Sequence, residues 1–395
     1  RFGKIVSSKQ TYKPMIPEKF DDIRPFEPYE LPEVFERLVS NEQFRAVLAY
    51  LYPGVPAEGL LAKMRQCRTN LDFQKAFCYG FLKELLSKAS RGCDADFSAV
   101  DLGKRHTFIS NHRDIVLDSA LLDVLLIDAG CATTCEIAIG DNLLSLPWVK
   151  DLVRVNKSFI VKRSLSMREM LMASKLLSEY MHYAISEKNE NIWIAQREGR
   201  AKDSNDRTQD AILKMMVMGG EGSVAERLAQ LHLVPLAISY EYDPCDFLKA
   251  QEFQLKRDVP GWKKSAQDDV VSMQTGIMGF KGRIHYHCAP CIDAWLKEIA
   301  PDTPKTELFS LIATHIDKEI HANYRLYPIN FVALDMLEGG NAHAAEYTAE
   351  DKAAFEKYLA GQMAKIQLPN KDDKFLLDCM LRMYANPAIN KLAIS

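Results

Sequence analysis

The amino-acid sequence predicts an α/β fold set between two helical regions, and three observations carry that expectation. Between about residues 93 and 300, short apolar runs alternate with stretches of helical periodicity, the pattern of an α/β domain. Before that span, residues 31–90 repeat apolar side chains at three- and four-residue steps, with no comparable alternation. After it, the chain turns charge-rich and mainly helical in pattern. The division is therefore 1–92 as an N-terminal arm and helical domain, 93–300 as the α/β domain and 301–395 as a helical C-terminal region.

The elements follow in order. Residues 1–30 contain Pro14, Pro17, Pro25 and Pro28 and read as an irregular arm. Helical patterns lie at about 31–51, 57–68 and 71–90; the first stops at Pro53-Gly54, and the third carries Phe73, Phe77, Phe81 and Leu85 on one face. Strands are expected at Thr107 to Ile109, Ile137 to Ile139, Ser158 to Val161, Asn191 to Ile194, Leu233 to Tyr240 and Arg283 to Tyr286. Helices at about 115–129, 165–187 and 208–218 fall between them. The helix from Leu165 aligns Met167, Met170, Leu177, Met181 and Ala184 in a stripe that reads as core-facing.

Composition narrows the function classes. With 395 residues, 47% hydrophobic and 26% charged, the chain can bury a sizeable core. A net charge of -3 argues against general nucleic-acid binding, which needs a dominant basic field. Nine irregularly spaced cysteines suggest free thiols in a reducing compartment. A membrane-spanning helix needs ~20 apolar residues; the charge-free stretch Ala46 to Ala57 is too short and is broken by Pro53 and Pro56.

Four segments could carry chemistry. In Phe108 to Asp118 an apolar strand runs into Asn111-His112 and then an amphipathic helix. A histidine at a strand end can serve as general base if a carboxylate orients its second ring nitrogen. Asp114 suits an N-cap, and Asp118 lies one turn inside the helix. The plain alternative is a capped helix preceded by a surface histidine. The second segment, Ile192 to Lys202, ends a strand with Arg197, Glu198, Gly199, Arg200 and Lys202. Glycine allows close backbone approach, and the cations could hold a phosphate, although charge runs are usually solvated surface. The third is the basic stretch 150–168, with Lys150, Arg154, Lys157, Lys162, Arg163 and Arg168 against Asp151 alone; it could complete a phosphate site or attract anionic headgroups. The fourth, His285 to Cys291, invites a zinc reading. A strand there would point His285 and His287 to one face and Cys288 to the other, and no spaced second ligand pair follows, so no metal is expected.

In this order the segments resemble the glycerolipid acyltransferase family, which contains lysophosphatidic acid and glycerol-3-phosphate acyltransferases. The resemblance spans about 93–290. Its blocks are matched by Asn111-His112 through Asp118, Ser158 through Arg163, Trp193 through Arg200, and Val234 through Ile238. Two departures stand out. Five residues rather than four separate His112 from Asp118, so either the loop is longer by one or Asp114 serves instead. The third block lacks the usual proline, and its arginine arrives one place early.

The resemblance implies a mixed sheet flanked by helices, like that of glycerol-3-phosphate acyltransferase. It also implies transfer of a fatty acyl group from acyl-CoA or an acyl carrier protein to glycerol-3-phosphate or 1-acylglycerol-3-phosphate. His112 would act as base with Asp118 orienting it, while Arg163, Glu198, Gly199, Arg200 and Lys202 would serve the acceptor phosphate. No cofactor and no nucleic acid are implied. The partners would be the donor, the phosphorylated glycerol or lysolipid acceptor and a membrane surface, met peripherally from the cytoplasmic, inner face. Other readings are a lyso-aminolipid acceptor, a metal-dependent or triad hydrolase using Ser110, and an inactive lipid-binding scaffold.

Overall fold

The structure is a computed structural model that describes residues 16–163 and 165–394; Pro14 of the arm lies outside them. The rest of the arm is anchored rather than loose. Phe20 and Ile23 are buried in a core cluster, and Arg24 pairs with Asp21 and Glu30. The expected helix 31–51 is two helices, α1 (Leu31–Ser40) and α2 (Glu42–Leu51). Asn41 divides them because its side chain accepts the Phe44 N–H at 3.0 Å and so caps a new helix. Next come α3 (Ala57–Gln66) and α4 (Asn70–Phe73), which runs through a π-helical turn, Gln74–Tyr79, into α5 (Gly80–Ala89). Phe35, Phe44, Phe73 and Phe77 bury one face of this region against Val155.

The α/β part begins with β1 (Cys93–Asp96), then β2 (Thr107–Ser110), α6 (Leu117–Asp128), β3 (Cys135–Gly140), α7 (Pro147–Val155), β4 (Ser158–Val161), α8 (Met167–Ser186) and β5 (Asn191–Ala195). It continues with α9 (Asp210–Met216), α10 (Val224–Ala229), β6 (Leu233–Tyr240), α11 (Asp246–Asp258), α12 (Ala266–Met278) and β7 (Ile284–Cys288). The helices α13 (Asp293–Leu296), α14 (Lys305–Ala322), α15 (Pro328–Glu338), α16 (Ala349–Ala364) and α17 (Asp373–Leu392) complete the chain.

The strands form one seven-stranded sheet in the order β1-β7-β6-β2-β5-β3-β4. β2 to β6 run parallel, whereas β7 is antiparallel to β6 and carries β1 parallel to itself. The sheet is thus mixed and flanked by helices, as expected. β1, which the sequence did not signal, reads Cys-Asp-Ala-Asp: an edge strand with no apolar run to betray it.

Both faces are covered, as a largely parallel sheet requires. Neighbouring residues of β2 show it: Phe108 enters one core with Leu121, Trp193 and Val234, and Ile109 enters the other with Phe159, Tyr180 and Ile194. Each such fully buried side chain contributes about 1.5–3 kcal/mol of transfer free energy. A third cluster joins α15, α16 and α17 to Tyr242 and Ala250. The stripe assigned to α8 needs correction: Leu177, Met181 and Ala184 are buried, but Met167 and Met170 are exposed because the helix begins beyond the sheet's cover. No helix among the described residues is long and apolar enough to cross a membrane, and all nine cysteines are free.

Candidate active site

The parallel strands send their carboxyl ends to one edge of the sheet, so the loops after β2, β4, β5 and β6 share it. β2 is buried throughout and delivers Asn111 to this edge. The Asn111 amide donates to the Ile238 carbonyl at 2.9 Å and accepts the Ile238 N–H at 2.8 Å, tying the loop to β6. His112 Nδ1 then lies 2.8 Å from Asp118 Oδ2. The same oxygen accepts the N–H groups of Arg113 at 2.6 Å and Asp114 at 3.1 Å. With Nδ1 donating to that carboxylate, Nε2 is left as the acceptor of the ring. Trp193 meets the imidazole edge-on at 5.5 Å, and the ring is only 14% exposed.

The extra residue in this segment has a structural cause. Helix α6 starts at Leu117, two residues later than expected, and Asp114 closes the preceding turn. Its Oδ1 accepts the N–H groups of Val116 at 2.9 Å and Leu117 at 2.8 Å. Asp118 therefore falls in the first helical turn and reaches back to the histidine. Burial, and then the charge of Asp118, push the Asp114 carboxyl above its usual range. Its Oδ2 abuts Gly276 of α12, where a Cβ would sit only 1.9 Å away.

Residues far along the chain hold this loop. Arg113 is buried and makes a two-pronged pair with Asp206 at 2.6 and 2.8 Å. Asp206 also accepts the Tyr324 hydroxyl. Lys249, on α11, donates to the Arg113 carbonyl at 3.1 Å and pairs with Asp243. None of these partners carries a sequence signal. A lysine inside an ordinary helix pattern, and an aspartate in a polar loop, look like surface.

The loop after β5 separates the expected phosphate ligands. Gly199 adopts φ +69°, which favours glycine. Arg200 is buried, with one terminal nitrogen lacking a protein partner, and it lines a cleft with Lys249, Leu248, Trp262, Lys264 and Val271. Lys202 turns aside to Glu252 at 2.6 Å, and burial pulls its amine below the usual range. Arg163 is paired with Glu198, linking the loops after β4 and β5. So Arg200 lines the cleft with a nitrogen free of protein partners, Lys249 and Lys264 line it while paired with Asp243 and Asp269, Arg163 and Glu198 pair with each other, and Lys202 pairs with Glu252. Of the basic stretch, Arg154 caps carbonyls of the arm and Lys157 pairs with Glu190.

Other readings can be weighed on geometry. The Ser110 hydroxyl accepts from Trp193 Nε1 at 3.0 Å and donates to the Asn111 carbonyl at 2.8 Å, fully buried. It offers no free nucleophile. His285 and His287 do share a face, their rings 5.8 Å apart, and lie against Asp94 and Asp96 of β1.

Residues 98–239, from before β2 into β6, match the family model of the acyltransferases. The protein is an acyltransferase, as the sequence blocks indicated. A solved structure, the 1-acyl-sn-glycerophosphate (LPA) acyltransferase PlsC from Thermotoga maritima, is similar to this chain at 10% identity and a TM-score of 0.36, covering 74% of this chain and 95% of that one. No curated protein sequence matches the chain.

Proposed function

We propose that the protein moves a fatty acyl group from acyl-CoA or an acyl carrier protein to a hydroxyl of glycerol-3-phosphate or 1-acylglycerol-3-phosphate. The observation that carries this reading is the His112–Asp118 pair at the end of β2, within the stretch that matches the acyltransferase family model. His112 Nε2 takes the acceptor's hydroxyl proton as its oxygen bonds to the thioester carbonyl carbon. The tetrahedral adduct then collapses, the carbon–sulfur bond breaks, and the imidazolium returns the proton to the departing thiolate. General-base catalysis and positioning serve such a reaction well, because a thioester is already activated. Asp118 holds the imidazole and stabilises its cation.

The acceptor phosphate would meet Arg200, whose unpartnered terminal nitrogen lies on the cleft wall. Lys202, held by Glu252, braces that wall, and the Arg163–Glu198 pair fixes the neighbouring loops with Gly199 at the turn. A lipid acceptor puts the reaction at a membrane surface, met peripherally from its cytoplasmic face.

Release of free thiol from acyl-CoA, measured with a panel of glycerol-3-phosphate, lysophosphatidate and lyso-aminolipid, tests the reading. Turnover is expected with a phosphorylated acceptor and should fall ~10²–10⁴-fold in His112→Ala. Arg200→Ala should raise KM for that acceptor more than Lys202→Ala does, as loss of a ground-state anion contact. Full activity in His112→Ala, or turnover with the lyso-aminolipid alone, would overturn the assignment.

A further inference from the structure

Helix α8 begins outside the body of the molecule. Residues 166–172 are all exposed, although Leu177, Ser178, Tyr180, Met181, Ala184 and Ile185 of the same helix are buried. Four of those residues are large and apolar: Met167 is 92% exposed, Met172 66%, Leu171 63% and Met170 38%. At 3.6 residues per turn, Met167, Met170 and Leu171 share one side, an arc of about 100°, and Met172 lies on another, between Arg168 and Glu169. It is a closed, ordered turn. Ser166 and Glu169 cap one another, with Glu169 Oε2 accepting from the Ser166 N–H at 2.9 Å and hydroxyl at 2.5 Å. The acidic side chain nearest the apolar group is thereby engaged. Exposed apolar groups of this kind mark interaction sites.

The surroundings indicate what meets it. α8 follows β4, whose carboxyl end lies on the edge that bears His112, three strands from β2 and roughly 14 Å away at ~4.8 Å per strand. Leu146, 41% exposed, stands at the entry to α7, which follows β3 on the same edge. Lys150 and Arg168 are exposed and have no ion-pair partner among the described residues. Lys150 and Lys162 also line one shallow cleft with Asp22 and Asp141, Lys162 lying 3.9 Å from Asp22.

We propose that the amino-terminal end of α8 is a membrane-insertion knob: Met167, Met170, Leu171 and Met172 enter the interface of an anionic bilayer, while Lys150 and Arg168 meet its phosphates. This inference deepens the function proposed above and rests on it in placing a lipid acceptor at the same sheet edge. A protein groove takes a helix with apolar anchors at i, i+3, i+4 and i+7, whereas here the run Met167, Met170, Leu171 gives way to Ser174, and the methionines are flexible. A stable protein interface also needs about 20–30 residues a side, far more than the knob supplies. Apolar residues with flanking cations fit the lipid interface, where apolar burial and attraction to anionic headgroups add.

The full chain should float with vesicles of equal parts phosphatidylcholine and phosphatidylglycerol. The combined substitution Met167→Glu, Leu171→Glu and Met172→Glu should weaken that partition at least about tenfold. Thiol release from a soluble short-chain acyl donor with glycerol-3-phosphate, without vesicles, should not change. A second variant, Lys150→Glu with Arg168→Glu, should lose partition to anionic vesicles and keep whatever binding pure phosphatidylcholine supports. Equal flotation of the first variant and the unsubstituted protein would overturn the proposal, as would no flotation of the unsubstituted protein. So would loss of acylation confined to a carrier-protein donor, which would assign the knob to a protein partner. Flotation is read without turnover, so an absence of thiol release under every condition would fail the acyltransferase reading and leave the knob's test intact.

Discussion

At His112 the position of the proton follows from what surrounds Asp118. One carboxylate oxygen collects the imidazole Nδ1–H and two backbone N–H groups, so a change of charge there alters the ring's tautomer before it alters the fold. Asp118→Asn should therefore lower kcat nearly as far as loss of the histidine, with circular dichroism unchanged, because the amide favours the wrong tautomer. Asp114→Asn should keep most activity, since asparagine caps a turn about as well as aspartate. Gly276→Ala should be harmful although it lies on another helix, because its Cβ would collide with Asp114 Oδ2. Activity surviving in Asp118→Asn but not in Asp114→Asn would exchange the two roles. His112 and Asp118 were legible in the sequence because they are near neighbours and one helical turn supplies the geometry. Asp206 and Lys249 were not, lying 93 and 136 residues beyond Arg113; nothing in a local pattern reports so distant a partner.

Among the elements, β2 to β6 were readable because strands buried on both faces are continuous apolar runs. β1 was not, with two aspartates in four residues, and the split at Asn41 was hidden inside one helical periodicity. Periodicity likewise gave α8 an apolar face but not what that face meets, so Met167 and Met170 were misplaced in the core. Helix α6 carries a further consequence for pH. Its Asp123 is buried, with Oδ1 accepting the Cys135 N–H at 2.8 Å and Oδ2 the Gln74 amide at 3.2 Å. Burial pushes its carboxyl up to about 7, above the ~3.9 of an unfolded aspartate. The folded state thus holds a proton that the unfolded state has already lost. Stability present below about pH 4 is lost as pH rises through about 7. Asp246 and Asp317 are displaced in the same direction by burial, so the effect of Asp123 is read by difference. Thermal unfolding between about pH 5 and 8 should show a smaller decline in Tm for Asp123→Asn than for the unsubstituted protein. Parallel declines would exclude Asp123 as the group responsible.

For the molecule as a whole, the C-terminal helices are part of the site's support. Tyr324 reaches Asp206 beyond α14, His321 Nε2–H donates to the Asp206 carbonyl at 2.9 Å, and Arg207 reaches Asn390 of α17 at 3.2 Å. The sequence showed this region only as charge-rich helix. Asp206→Asn should destabilise by about 3–5 kcal/mol in urea unfolding, since it leaves the buried Arg113 guanidinium without its counter-ion. The same substitution should lower kcat through the displaced loop; an unchanged unfolding midpoint would show that the pair contributes little. The order of these contacts along the chain bears on biosynthesis. Asn111, His112 and Arg113 are held by Trp193, Asp206, Ile238, Lys249 and finally Tyr324, all of which leave the ribosome after them. At ~5–20 residues per second the loop waits on the order of 10–40 s for its last anchor. A nascent chain halted before Tyr324 would carry the histidine and aspartate in its sequence without the last of the anchors that hold them in place.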